Sequence, residues 1–448
     1  MLFKLLFRDK PDSLKTIFFL VLIYILVLMW GFIDYLVPIW GYFGIEYEYL
    51  SIEIKLIPVF FGLLPVFWMP LKITRPTMFA YWILYLLTYI PMIVGSSLEK
   101  RFETSDRILI ALSYFIGFIF LGLSYKFKLY RVKEKKIKSI YFWNVFYAIT
   151  FIMFMYVLYV FKDNLTFVDV FASEKVYDLR FSGQEIEEKS AFGGYFIMWL
   201  SNALFPFLIS VGLVNKDKKK IVIGILGMFI LYMTMANKQF LFAIIFTIFI
   251  YWLFKIKSQK KITILLLVLI TPSTILIYSQ TIAQSTNFLM FSLSGIFLLR
   301  TIYTSSFMSI YYNIFFENHP HIYFSHISGI NKIVDYPYKK QLGIEVGSYF
   351  TEFSDFNANA NFFITDGLSS IGLIGIPLVG ILCTIVFFIF DSISSRINLI
   401  LPILLISNAS IALMNVSLFT TLISGGLLFY MLLMVFGRNV IENTSQKI

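Results

Sequence analysis

The chain has 448 residues, of which 59% are hydrophobic and only 14% are charged, and its mean hydropathy is +0.80. A soluble domain carries roughly a quarter charged residues, so a soluble core is excluded and lipid must surround much of the chain. The formal net charge of +11 could indicate a nucleic-acid partner. Because the excess lies in short loops between apolar runs, we expect it to set membrane topology instead, and we expect no nucleic acid.

The apolar runs predict an all-α, polytopic bundle with about twelve transmembrane helices in a single domain, 1–448. In lipid every backbone polar group needs an internal partner, which leaves helices or a closed barrel. Barrel strands alternate apolar and polar residues, whereas the runs here are continuous, as in Thr16–Ile33. At about twenty residues a span, the predicted spans are 16–36, 54–71, 77–96, 108–125, 140–161, 192–214, 221–236, 239–254, 262–280, 367–390, 399–415 and 417–436.

Loop charge predicts the orientation of these spans. The loops 126–138, 215–220 and 255–261 are rich in lysine and arginine and all follow even-numbered spans. Basic loops stay in the cytoplasm, so we expect a multi-pass protein of the cytoplasmic (inner) membrane with both termini inside. Two long loops, about 162–191 and 281–366, then lie outside. Within the second loop, Phe288–Leu299 and Phe307–Phe316 are apolar enough to be short re-entrant or interfacial helices.

Three cationic residues at the predicted outer side are candidate anion ligands. A guanidinium is always charged and grips a phosphate in two places, which suits Arg180 and Arg300. Lys238 lies between two spans with almost no loop around it. The alternatives are solvent exposure for Arg180, snorkelling to the interface for Arg300, and a tight turn with a snorkelling lysine for Lys238.

Polar residues late in the outer segment are candidate sugar ligands. Asn359 and Asn361 precede Asp366, which begins a predicted span. Amides and carboxylates at a membrane face can bind sugar hydroxyls, although a carboxylate at a helix start also suits the positive end of the helix dipole. The alternative for the glycines that follow is close helix packing.

The three histidines lie within eight residues, at 319, 321 and 326. Histidine is a common metal ligand, but no cysteine or well-spaced acid nearby completes a site. We therefore expect no metal here, and His321 and His326 remain candidates for a polar surface or a sugar site.

The layout and the segment 350–380 together resemble the bacterial oligosaccharide repeat-unit polymerases of O-antigen and capsule assembly, the Wzy type. In that family a late outer loop ends in an asparagine-rich stretch, an acid and a glycine-marked span, matched here by Asn359, Asn361, Asp366, Gly372 and Gly375. Arg180 and Arg300 match the arginines that the two outer loops often carry. The departure is that no glycine follows Arg300 until Gly329.

The resemblance implies a glycosyltransferase for O-antigen, capsular or exopolysaccharide synthesis. It would transfer a growing glycan from its polyprenyl diphosphate carrier to a carrier-linked repeat unit at the outer face of the membrane. The implied partners are this donor and acceptor, membrane lipids, a chain-length regulator and a flippase. No cofactor is implied, and we expect metal-independent chemistry.

Roles for the candidate residues follow from the leaving diphosphate, on which charge builds as the glycosidic bond breaks. Preorganised cations would lower that barrier, and Arg180 and Arg300 are the first candidates. Lys238, Asn359, Asn361 and His321 are expected to bind substrate. The base that accepts the hydroxyl proton is left open among three residues, which are Glu185, Asp366 and His326.

Three other functions compete with polymerisation. A lipid-linked oligosaccharide flippase would show internal repeats and ionisable residues near span midplanes, and we find neither in the sequence. An O-antigen ligase-like transferase shares the leaving group but uses another acceptor, and the late histidines keep it open. A structural subunit without catalysis is the third.

Overall fold

Helices make up the regular structure of the chain. The computed structural model describes residues 11–130, 137–170, 173–352 and 356–443, and these ranges contain no β-strand. The main helices are numbered in chain order. They are α1 (Leu14–Phe43), α2 (Ile52–Leu63), α3 (Pro76–Leu98), α4 (Thr104–Lys126), α5 (Ser139–Val160), α6 (Ser173–Lys189), α7 (Gly193–Asn215), α8 (Lys218–Met235), α9 (Lys238–Lys255), α10 (Lys261–Thr281), α11 (Phe288–Asn318), α12 (Leu342–Phe350), α13 (Phe363–Ser394), α14 (Ile400–Leu413) and α15 (Leu418–Arg438).

The predicted fold class, an all-α polytopic bundle, is confirmed. Within the described ranges ten helices are long and apolar enough to cross a membrane, against about twelve expected. Three predicted spans are not among the ten. Helices α2 and α14 have 12 and 14 residues, and α8 begins with three lysines. In their place α11 qualifies, within a segment predicted to be an external loop.

Helix α3 is the centre of the bundle, and its most apolar stretch is completely buried. Its tyrosines carry hydroxyl groups into that core, where each needs a partner. The hydroxyl of Tyr81 donates to the carbonyl of Phe118 at 2.9 Å, and that of Tyr89 donates to the carbonyl of Phe61 at 2.8 Å. The backbone carbonyls of α2 and α4 therefore satisfy the polar groups of α3.

One end of the bundle gathers the basic loops, and we call it the basic end. Here the Asp12 carboxylate accepts the N–H groups of Ile262 and Thr263, at 3.0 and 3.2 Å, and so caps α10. Asp391 likewise accepts the N–H of Thr77, at 3.2 Å, and caps α3. Residues 131–136 of the most basic loop lie outside the described ranges.

Helix α11 first runs antiparallel to α1. The Phe291 ring stacks on Trp40 near the far end of α1, with centroids 5.8 Å apart. Twelve residues later, the hydroxyl of Tyr303 donates to the carbonyl of Leu28, 2.8 Å away and about halfway along α1. The chain therefore enters the bundle from the end opposite the basic end, which we call the outer end.

The second half of α11 returns to the outer end. A straight continuation would carry Tyr311 about 12 Å beyond Tyr303 toward the basic end. Instead the hydroxyl of Tyr311 donates to the carbonyl of Phe43, the last residue of α1. The bend follows a π-helical stretch, Gly295–Tyr303, where the regular α-helical ladder is lost. The two short helices expected here are thus one bent, re-entrant element.

Helix α13 is broken one-third of the way along. Gly372 has φ +71° and ψ −158°, a conformation that a residue with a side chain rarely adopts. The break separates a first segment, 363–371, from a second segment, 375–394, which packs on α4 where Gly380 meets Gly117. The close approach expected of the glycines is confirmed at this contact.

Candidate functional site

His326 and Asp366 form a buried pair at the outer end. His326 Nε2 lies 2.8 Å from Asp366 Oδ1, and the carboxylate is fully buried while the imidazole is 16% exposed. The second oxygen, Oδ2, accepts the N–H of Leu418 at 2.6 Å. Both carboxylate oxygens are thus engaged, one holding the imidazole and the other the start of α15.

This geometry fixes the tautomer of His326. An ionised carboxylate can only accept, so in a neutral imidazole the proton sits on Nε2 and the lone pair on Nδ1. His326 Nδ1 is buried and has no hydrogen-bond partner within the described ranges. A carboxylate that orients a histidine while the other ring nitrogen keeps an unshared lone pair is the arrangement of a general base. Because Nδ1 is buried, a neighbouring group must move before a hydroxyl can reach it. Of the three candidate bases, His326 is the one so arranged, and Asp366 positions it.

The break in α13 explains how His326 comes to lie there. Residues 369 and 370 end the first segment, and their carbonyls lose helical partners at Gly372. The N–H groups of Ile322 and Tyr323 donate to these carbonyls of Ser369 and Ser370, at 2.9 and 3.1 Å. We call residues 319–326 the strap, because these bonds tie them to the broken helix.

The strap carries backbone strain. Tyr323 and Phe324 have φ of +46° and +62°, in the left-handed region that costs a bulky residue about 1–3 kcal/mol. Strain of this kind clusters at functional sites, where the surrounding structure holds it. The neighbouring histidines are stacked on aromatic rings, His319 on Phe315 at 4.0 Å and His321 on Phe316 at 5.1 Å.

His321 and the two asparagines take different places. His321 Nδ1 is buried without a partner among the described residues, so a polar group could bind it. Asn361 is fully buried and its side-chain oxygen accepts the N–H of Phe363 at 3.1 Å, which caps the first turn of α13. Asn361 is therefore a structural cap beside Asp366, whereas Asn359 is exposed. Sugar binding by either asparagine stays a prediction.

Arg180 and Glu185 lie on α6, a helix within the first predicted outer loop. Asn164 anchors this helix, since its side-chain amide donates to the carbonyls of Leu179 and Thr234 at 3.3 and 2.7 Å. Arg180 is exposed. Glu185 is also exposed and pairs with Lys189 at 3.8 Å. Nothing in these contacts joins Glu185 to the His326–Asp366 pair.

Glu187, another acid on α6, is less exposed to solvent than Glu185. Burial raises the pKa of Glu187, and the neighbouring Glu188 raises it further. Glu187 lies against Gly194 at the start of α7. The sequence pattern gave no reason to prefer Glu187 over Glu185. The two acids differ in burial, which depends on which face of α6 packs against the rest of the protein.

Lys238 is brought to the same corner as Arg180. It begins α9, four residues after Thr234, and Asn164 joins Thr234 to Leu179. The tight turn expected at this position is confirmed, with Asn237 accepting the N–H of Gln239 at 3.1 Å. Two cationic residues separated by 58 positions in sequence thus belong to one corner of the outer end.

Arg300 lies apart from this corner, on the descending arm of α11. It is exposed on the surface of the bundle, one turn from Tyr303 and hence near the middle of α1 in depth. Its guanidinium makes no hydrogen bond or ion pair with the residues that the structure describes. A cation at that depth is costly unless it faces water or an anion.

Sequence reasoning missed a set of uncharged polar side chains. Ser201, Asn202, Gln239 and Asn408 line a small notch between α7, α9 and α14. The available signal was polar residues inside otherwise apolar runs. No group of three or more His, Cys, Asp or Glu residues that could hold a metal ion occurs within the described ranges.

A scan of protein-family models and searches of curated proteins and of solved structures gave no match to this chain. Its function is therefore inferred from its own residues and contacts.

Proposed function

We propose that the protein is a membrane glycosyltransferase that polymerises polyprenyl-diphosphate-linked repeat units at the outer face of the cytoplasmic membrane. The observation that carries the proposal is the buried His326–Asp366 pair at the outer end, in which Nδ1 has no hydrogen-bond partner among the described residues. In this assignment the basic end faces the cytoplasm, in keeping with the positive-inside rule.

The proposed reaction begins at the acceptor hydroxyl. Its proton passes to Nδ1 of His326 while its oxygen attacks the anomeric carbon of the carrier-linked glycan. The bond from that carbon to the diphosphate breaks, and polyprenyl diphosphate leaves with the electron pair. Asp366 keeps the imidazole in the competent tautomer and stabilises the imidazolium that forms. No redox step or cofactor is required for this balance.

Cationic side chains would stabilise the departing diphosphate. Arg180 and Lys238 supply positive charge at one corner of the outer end, and preorganised cations near developing charge lower the barrier. Arg300 suits a different task. An exposed guanidinium midway down the bundle could meet a lipid phosphate that approaches from the side, since a guanidinium pairs well with phosphate oxygens.

Two observations favour a second candidate, a transporter of lipid-linked oligosaccharides. Helix α13 is broken at Gly372, and α15 is interrupted at Gly426, where φ is +83°. Discontinuous helices of this kind form the substrate sites of many transporters. The buried His326–Asp366 pair would then couple transport to protons. An O-antigen ligase-like transferase would use the same pair on another acceptor.

The test is the surface polysaccharide of a strain lacking the gene. The strain is complemented with wild type, His326→Ala, Arg180→Ala, or the matched control Lys175→Ala, which removes a second exposed cation from α6. For a polymerase, deletion abolishes the polymer ladder and leaves single repeat units at the cell surface. We expect His326→Ala and Arg180→Ala to fail and Lys175→Ala to restore the ladder, at equal protein level.

Other outcomes reject the proposal in favour of a named alternative. Single repeat units that accumulate on the carrier and stay inaccessible from outside indicate the transporter. Long polymer that accumulates on the carrier without transfer to its final acceptor indicates the ligase. An unchanged ladder in the deletion strain contradicts all three.

A further inference from the structure

The small polar notch at the outer end has an uncharged lining. Four side chains supply amide or hydroxyl groups, and Pro206, Ala243 and Ile411 complete the lining. The lining polar side chains are Ser201, Asn202, Gln239 and Asn408. The space is small, with room for about one water-sized group. Such a notch suits one neutral polar substituent and disfavours a charged one, because no lining side chain could balance the charge.

Irregular backbone surrounds the notch. Ser201 and Asn202 lie in a π-helical turn of α7, Leu200–Leu204, a feature frequent at functional sites. Opposite them α15 is interrupted, and its Ser424 carbonyl accepts the Asn202 side-chain amide at 3.2 Å. Irregular backbone at membrane depth is tolerated where it is buried in protein or lines a cavity. Two helices thus depart from regular geometry at the same place.

Two side chains at the notch keep polar atoms without a hydrogen-bond partner among the described residues. The side-chain amide of Gln239 makes no hydrogen bond within the part of the chain that the structure describes, and neither does the side-chain oxygen of Asn202. Asn408, in contrast, is occupied by Thr247 and Leu404, at 3.0 and 2.9 Å. Gln239 and Asn202 therefore offer a free donor and free acceptors, while Asn408 is held as part of the wall.

A short helix connects the notch to the His326–Asp366 pair. The first segment of α15, Leu418–Ile423, begins at the N–H that Asp366 accepts. At its other end, the carbonyl of Ile423 accepts the indole N–H of Trp199 at 3.1 Å, beside Asn202. Six helical residues span about 9 Å. An oligosaccharide lying along this segment would reach both places.

We propose that the notch is a specificity subsite that binds one uncharged substituent, a hydroxyl group, of a sugar in the repeat unit. This inference rests on the proposed function and adds the place where the sugar is recognised. Gln239 and Asn202 hydrogen-bond the substituent, and the short segment of α15 sets its distance from His326.

The experiment uses the full-length protein in lipid nanodiscs, with lipid-linked repeat units extracted from the deletion strain as the probe. The variants are Gln239→Ala and the double variant Asn202→Ala/Gln239→Ala. The matched control is Gln280→Ala, a partly buried glutamine at the outer end of α10. We expect KM for the repeat unit to rise about two- to tenfold for Gln239→Ala, as for the loss of one neutral hydrogen bond, with kcat unchanged. The double variant should raise KM further.

The outcomes separate the subsite from the function itself. If His326→Ala loses polymer while Gln239→Ala behaves like Gln280→Ala, the subsite inference is wrong and the proposed function stands. A lower melting temperature with an unchanged KM would show that the notch holds only a structural water, which also overturns the inference. If wild type itself forms no polymer from the extracted units, the proposed function has failed.

Discussion

Replacing Asp366 by asparagine tests the His326–Asp366 pair while keeping the shape of the site. The Asn oxygen can still accept the N–H of Leu418, now bonded to Asp366 Oδ2 at 2.6 Å. Its NH₂ group then faces His326 and donates to Nε2. The proton of the imidazole must move to Nδ1, so the lone pair that would accept the substrate proton is lost.

The expected magnitude follows from this change of tautomer. Positioned general-base catalysis contributes about 10²- to 10⁴-fold to rate, and we expect kcat to fall within that range. Asp366→Asn keeps the acceptor of the Leu418 N–H but places the imidazole proton on Nδ1, which is buried without a partner among the described residues, so we expect a cost of about 1–3 kcal/mol of unfolding free energy. Asp366→Ala leaves the Leu418 N–H itself without an acceptor, at a similar cost, and also removes the group that orients His326.

The assay is the rate of polymer formation from extracted lipid-linked repeat units, alongside the melting temperature of each variant. Asp391→Asn is the matched control, because Asp391 is also fully buried and also accepts a backbone N–H at a helix start, but at the basic end. We expect wild-type kcat for Asp391→Asn. A wild-type kcat for Asp366→Asn, or an equal loss for both variants, would refute the role given to the pair.

Three further predictions concern the scaffold. Burial raises the folded-state pKa of Asp12, so the stability of the wild type is greatest below the unfolded value of about 3.9 and declines as pH rises through the raised value. Asparagine does not titrate, so the melting temperature of the wild type minus that of Asp12→Asn should fall with rising pH, and a constant or rising difference would contradict this. Gly372→Ala should cost about 1–3 kcal/mol of unfolding free energy, because φ is +71°, whereas Gly41→Ala, at φ −60°, should be nearly neutral. Asn164→Ala should loosen α6, seen as faster tryptic cleavage after Arg180 and lower polymer yield, and unchanged cleavage would contradict the anchoring role.

The apolar runs predicted most of the bundle because composition decides which segments enter lipid. The predicted span 16–36 corresponds to α1, and the predicted span 367–390 corresponds to α13, with boundaries shifted by several residues. The segment around Arg300 was harder, since serines, threonines and the arginine lower its hydropathy. Sequence indicated re-entrant helices there, but not the bend at Tyr303, because that bend depends on contacts with Leu28 and Phe43 from a distant helix.

The sequence identified candidate residues of the site but did not indicate which of them contact each other. His326 and Asp366 both appeared as candidate bases, and only the structure brings them to 2.8 Å across 40 positions. Asn361 is predicted to bind sugar by residue type, and the structure adds a helix-capping contact that residue type did not indicate. Gln239 was not a candidate from the sequence, because the notch that it lines also requires Asn202 from another helix.

The strap is positioned by the same break that makes α13 irregular. When the helix ends at Gly372, the carbonyls of Ser369 and Ser370 need donors, and the strap supplies them through Ile322 and Tyr323. Lifting the strap would leave both carbonyls unpaired in a buried place, at a cost of about 1–3 kcal/mol each. His326, at the end of the strap, is therefore fixed before substrate arrives. The imidazole ring held in this way needs little reorientation during reaction, which is the condition under which positioned groups are most effective, once a neighbouring group has moved to uncover Nδ1.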